Sequence, residues 1–133
     1  MKQLSALDEP VRSIAAHDPA MATGSDTLRM VAQKMLDADC SALLVERRTG
    51  ELAIVTERDV VHALATGADP DSEWATDVMT REVLDVAPDS SIADVAELMQ
   101  QARIRHVLVR SDAGALAIVS IRDLLDVILT AAD

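Results

Sequence analysis

The chain has 133 residues, and 12 basic against 23 acidic side chains give it a formal charge of −11, which opposes binding to nucleic acid polymers and anionic membranes. Half of it is apolar, too much for a disordered chain, yet no apolar run approaches the ~18 residues of a membrane span. One aromatic, Trp74, supplies no stacking platform for single strands, and one cysteine, Cys40, forms neither an internal disulfide nor a thiolate metal site.

The chain opens without an apolar signal core, which places it in the cytoplasm. A short β segment is expected near 21–23. Leu28, Val31, Ala32, Met35 and Leu36 then recur at helical spacing over 28–37. Cys40 sits at a helix-to-strand junction and reads as a small packing residue. Strands Ala42–Glu46 and Leu52–Thr56 follow, joined by a turn in which Gly50 supplies positive φ. A helix over Glu57–Ala65 leads into an acidic connection, 67–77, which Trp74 is expected to pin to the fold. The order then recurs. A β segment near 84–86 precedes a helix from Ile92, with Ser91 and Asp94 as a capping box. Strands over 106–110 and 116–120 flank Gly114, and a last helix covers 121–129.

The recurrence is an internal repeat. Shifted by 64 residues, positions 28–66 fall on 92–130 without a gap, and fourteen of the 39 pairs are identical. Composition alone gives roughly three. The matches include Met35/Met99, Gly50/Gly114, Ala53/Ala117, Arg58/Arg122 and Asp59/Asp123 as well as aliphatics. Each copy reads β-α-β-β-α, so the fold class is α/β (α+β). A unit of ~60 residues is marginal alone, so the two copies are expected to pack as a pseudo-two-fold pair. The first 66 residues carry seven bases and ten acids, and the rest five and thirteen.

Asp77-Val78-Met79-Thr80, followed by Val86-Ala87-Pro88-Asp89-Ser90-Ser91-Ile92, resembles the opening of a CBS domain. Ile54-Val55-Thr56-Glu57-Arg58-Asp59 and Ile118-Val119-Ser120-Ile121-Arg122-Asp123 resemble its closing motif. The resemblance covers about 11–130 and implies a tandem pair, also called a Bateman module, with repeats at 11–66 and 78–130. It implies a regulatory sensor, not an enzyme, that binds AMP, ADP, ATP or S-adenosylmethionine in clefts between the repeats. Many such pairs dimerise. Two departures stand out: Ala53 and Ala117 replace the family's usual glycine, and Leu44 and Leu108 its usual proline.

Thr56-x-x-Asp59 and Ser120-x-x-Asp123 have two compatible readings. Each is a capping box at a strand-to-helix junction. Each can also serve a ligand, because a carboxylate there accepts from both ribose hydroxyls and a helix N-terminus suits phosphate. Arg58 and Arg122 oppose the helix dipole and so point either to a phosphate or to a neighbouring acid. The second copy adds Arg105 and His106 where the first has Ser41 and Ala42. By the resemblance, the second-repeat site is the better equipped for anions, with Arg105, His106, Ser120, Arg122 and Asp123. Val83 and Val107 would border the adenine there. The first, with Thr56, Arg58 and Asp59, has fewer charges. His17, His62 and His106 lack metal-ligand spacing, and no nucleophilic catalytic set or Gly-rich phosphate loop is visible.

The last helix carries Leu124, Leu125, Val127, Ile128 and Leu129, more apolar surface than one core buries. The surplus predicts a homodimer. The chain is therefore read as a sensor of an adenosyl ligand acting on an unidentified target protein, with no catalytic cofactor. The alternative is an interaction module whose clefts are vestigial.

Overall fold

The computed structural model describes residues 6–15, 18–47 and 50–131; His17 and two residues of the first predicted turn, Arg48 and Thr49, lie outside these. The first repeat forms β1 (Met21–Ala22), α1 (Leu28–Ala38), β2 (Ala42–Glu46), β3 (Leu52–Thr56) and α2 (Glu57–Ala65). A one-turn helix α3 (Ala75–Val78) follows, and then β4 (Asp85–Val86), α4 (Ile92–Ala102), β5 (His106–Ser111), β6 (Gly114–Ser120) and α5 (Ile121–Ala131). The two three-stranded sheets share one topology. In each, the first strand runs parallel to the second and the second pairs antiparallel with the third.

The expected turn chemistry is present: Gly50 and Gly114 have φ of 80° and 122°. Helices α1 and α4 also end in a left-handed residue, and neither is glycine. Asp39 closes α1 at φ 51° and Arg103 closes α4 at φ 56°, at equivalent positions of the repeat. The next N–H then reaches back, Cys40 to the Met35 carbonyl and Ile104 to that of Met99, each at 3.1 Å. This closure satisfies a terminal carbonyl and offsets the cost of a left-handed side-chain-bearing residue.

Each unit has its own apolar core. Val31 and Met35 of α1 meet Leu43, Val45, Ala53 and Val55 of the first sheet, with Val60 of α2. Val95 and Met99 of α4 meet Val107, Val109, Ala117 and Val119 of the second, with Leu124 of α5. Ala53 and Ala117 are thus core residues, their methyl groups buried on the helix-facing side of the sheets.

Only one of the two units is a consecutive stretch of chain. One is Pro19–Val83; the other joins Leu84–Asp133 to Met1–Asp18. In the second unit Val11 is fully buried, its N–H donating to the Ser90 carbonyl at 2.7 Å. Arg12 N–H donates to Pro88 at 3.1 Å, and Ile92 N–H to Glu9 at 2.9 Å. The first unit repeats this clamp 64 residues along. Ala75, also fully buried, donates to Asp26 at 2.8 Å, Thr76 to Gly24 at 3.1 Å, and Leu28 donates to Glu73 at 3.0 Å. The segment leading into each repeat therefore packs at the start of the other repeat's long helix.

The first unit also holds a buried charge. The Asp26 carboxylate accepts from Lys34 Nζ at 2.5 Å, from Thr23 N–H at 3.0 Å and from Thr23 Oγ1 at 2.9 Å. Burial pushes its pKa up, but the bonds from Lys34 and Thr23 outweigh this and hold the carboxyl below its usual range. The same positions of the second repeat are Ser90, Leu98 and Ala87.

Candidate functional site

Each sheet delivers its third strand directly into a helix, and the candidate residues gather at that junction. At α2 the Thr56 N–H donates to Asp59 Oδ2 at 2.9 Å, and the Asp59 N–H returns a bond to Thr56 Oγ1 at 3.1 Å. At α5 the Ser120 N–H donates to Asp123 Oδ2 at 2.8 Å, and the Asp123 N–H to Ser120 Oγ at 3.3 Å. Both motifs are complete capping boxes. At α4 the Ser91 hydroxyl accepts from the Asp94 N–H at 3.1 Å, one half of the predicted box. The chain before the second strand closes each junction further: Glu57 N–H donates to the Ser41 carbonyl, and Ile121 N–H to that of Arg105, each at 2.9 Å. The first and third N–H of each helix are thus taken, and among the described residues no acceptor outside the helix meets the second, that of Arg58 or Arg122.

The carboxylates differ in what else they hold. Asp59 also accepts from the Thr80 hydroxyl, which lies 3.1 Å from both of its oxygens. Thr80 is fixed there by its backbone. Its N–H donates to the Ile54 carbonyl at 2.7 Å, and Ile54 N–H donates back at 3.0 Å. Asp123 has no partner among the described residues beyond Ser120, so its Oδ1 is open. Sequence reasoning missed Thr80 as a site residue. Its one trace is the 64-residue register, in which Thr80 falls on Ala16.

Arg58, Arg105 and Arg122 are exposed, and none forms an ion pair among the described residues. Among the described residues neither Arg58 nor Arg122 is seated on a neighbouring acid. His106 pairs with Ser120 in the β5–β6 ladder, which puts Arg105, His106, Ser120, Arg122 and Asp123 at one end of one sheet. Val107 is fully buried in the core, with its backbone paired to Val119. Val83 is half-buried and belongs to the other unit. The residues before each first strand are tied to the second strands: Leu108 N–H donates to the Leu84 carbonyl at 3.0 Å and Leu44 N–H to that of Ala20 at 2.8 Å.

Elsewhere the chemistry is sparse. Cys40 packs against the first core; burial pushes its thiol up, and Asp39 and Glu57 add to this against a bond from the Ala42 backbone. This disfavours the thiolate. The backbone of Trp74 bridges to Thr27, while the indole, expected to pin the linker, is half exposed. Among the described residues no His, Cys, Asp and Glu cluster could hold a metal, and no helix is long and apolar enough to cross a membrane. Ile121, Leu125 and Leu129 form an exposed stripe along α5, with Leu129 at 65%; Val61, at 64%, and Leu64 are exposed on α2.

A family model described as the CBS domain matches residues 11–66 and again 75–130. An uncharacterized protein of Methanopyrus kandleri is 30% identical over 120 residues, 88% of this chain and 61% of that protein. The uncharacterized protein YlbB of Bacillus subtilis is 31% identical over 116 residues, 86% of this chain and 78% of its own. Among solved structures, the hexameric CBS-CP12 protein from bloom-forming cyanobacteria matches at TM-score 0.81 and 29% identity, over 87% of this chain and 66% of that one. A CBS domain protein of Pyrobaculum aerophilum, solved in complex with AMP, matches at TM-score 0.77 and 26% identity, over 92% and 98%.

Proposed function

The chain belongs to the CBS-domain family, with two such domains in tandem, and from that premise we propose that it is a regulatory module that binds an adenosine-containing ligand, AMP, ADP, ATP or S-adenosylmethionine. The observation that carries this is the second unit's junction. An open carboxylate oxygen on Asp123 stands beside exposed Arg105 and Arg122, with His106 opposite Ser120 in the ladder. A carboxylate of this kind accepts from the two ribose hydroxyls, while the guanidinium groups suit phosphate. The AMP held by the Pyrobaculum relative supports the ligand class. The ligand shifts the population of conformations, and the chain passes that shift to a partner protein. No set of residues at the junction suggests catalysis.

Thermal unfolding with each of the four ligands tests the reading. A ligand at 100 times its Kd adds about 2.7 kcal/mol. Asp123→Ala is expected to weaken binding at least about tenfold, the worth of one hydrogen bond to a charged acceptor. Asp59→Ala is expected to weaken it less. No shift with any ligand, or equal losses in the two variants, would overturn the assignment. The rival reading, an interaction module with vestigial clefts, predicts the first of these results.

We further propose that two copies pair through the apolar helix faces, because the Ile121, Leu125 and Leu129 stripe is left uncovered. Light scattering is expected to show a dimer that Leu125→Glu converts to a monomer. A wild-type monomer at every concentration would refute the pairing.

A further inference from the structure

We infer that Thr80 closes the first unit's junction to a ribose, so that an adenosine ligand is taken through Asp123 and not through Asp59; the inference rests on the function proposed above. Beyond Arg105 and His106 in place of Ser41 and Ala42, the two junctions share the capping box, an equivalent carbonyl on the first helical N–H, and an arginine at the second helical position. They part at the carboxylate. Asp59 Oδ2 accepts from the Thr56 N–H at 2.9 Å and faces the Thr80 hydroxyl at 3.1 Å, which fills its two lone-pair directions. The same hydroxyl lies 3.1 Å from Oδ1 and so straddles the face that a cis-diol would take. A diol binding both oxygens must displace it. Displacement is resisted because Thr80 is joined to β3 by two backbone bonds with Ile54, at 2.7 and 3.0 Å. The hydroxyl is thus held by the sheet and not by a mobile side chain alone. In the 64-residue register Thr80 falls on Ala16, which carries no hydroxyl. Thr80 itself lies in the second matched domain, yet it packs in the unit of the first. The occlusion is therefore made by the segment that leads into one repeat, acting on the acid of the other.

The substitution Thr80→Val keeps the shape, the β-branch and both backbone bonds while removing the donor. Titration calorimetry with AMP and with ATP on the full chain reads the consequence, and thermal melting checks that each variant is folded. The wild type is expected to bind at one site per chain, and Thr80→Val at two. In an Asp123→Ala background, Thr80→Val is expected to gain at least about tenfold in affinity, the worth of one hydrogen bond to a charged acceptor. Thr80→Ser, which retains the hydroxyl, is expected to gain nothing, and Asp59→Ala to abolish the gain. Binding by the wild type with no gain in Thr80→Val would overturn the role of Thr80 and leave the proposed function standing. So would a gain that persists in Asp59→Ala. No binding by the wild type or by any variant would overturn the proposed function itself.

Discussion

Lys34→Met is expected to lower the unfolding free energy by about 2–3 kcal/mol, the cost of stripping a charged partner from a buried acid. Asp26 is 5% exposed, and two of its three hydrogen bonds come from Thr23 alone. Without Lys34 its charge is left in the core with only those two. The pH dependence follows from the direction of the shift. Because the folded carboxyl sits below its ordinary value, its contribution is complete above the unfolded pKa of about 3.9 and is lost as pH falls through the folded pKa. In Lys34→Met burial acts with less opposition, the folded pKa rises, and the acid limb of the stability curve moves to higher pH. Urea midpoints from pH 7 down to pH 3 measure both effects; midpoints and acid limb unchanged from wild type would contradict the account. The second repeat supplies its own control. With Ser90, Leu98 and Ala87 at these positions it builds the same β-α-β-β-α unit without an ion pair. The triple variant Thr23→Ala, Asp26→Ser, Lys34→Leu is therefore expected to recover most of the loss, as when a buried ion pair is replaced by packed apolar groups.

A larger effect is expected from Val11→Asp. It places an unpaired charge at a fully buried position among Ile92, Val95 and Leu124, a loss of about 3–5 kcal/mol. The loss is expected far along the chain from the substitution. Hydrogen exchange is expected to accelerate over 84–131, while 19–83 keeps its protection. Ala75→Asp is expected to do the reverse. The outcome that would sink this division is Val11→Asp releasing α1 to α2 while leaving α4 to α5 protected.

Most of the fold was legible because most of it is written locally. The spacing of Leu28, Val31 and Met35 specifies a helical face, Gly50 and Gly114 mark turns, and Thr56 with Asp59 specifies a cap whatever surrounds it. The 64-residue repeat then lets each element vouch for its twin. The exchange of leading segments was not legible. Its physical content is three backbone bonds and one small buried side chain, Val11 or Ala75, and many short segments could supply these. Asp39 and Arg103 escaped for a related reason, since left-handed caps are read from glycine and neither helix has one there. At the candidate site the residues Ser120, Asp123, Arg105 and His106 could be picked by chemistry and register. That Asp59 is occupied could not, because its partner is 21 residues away and the pairing depends on a bridge between Ile54 and Thr80. By the resemblance Val107 borders a ligand through its backbone as much as its side chain. Strand alternation puts it with Val109 on the core face, and its side chain is buried there.

The clamps at Val11 and Ala75 have a consequence for descent. The stretch copied by duplication corresponds to residues 11–66 and 75–130, whereas the stretch that packs as one body is Pro19–Val83. Inheritance and folding cut this chain at different places. A solitary ancestor of one repeat would have carried a leading segment with no seat of its own. It would also have had a long helix whose start no segment of its own covered. Two such chains could have satisfied each other only by trading those segments. Fusion of the genes would then have turned an exchange of segments between two chains into a covalent one.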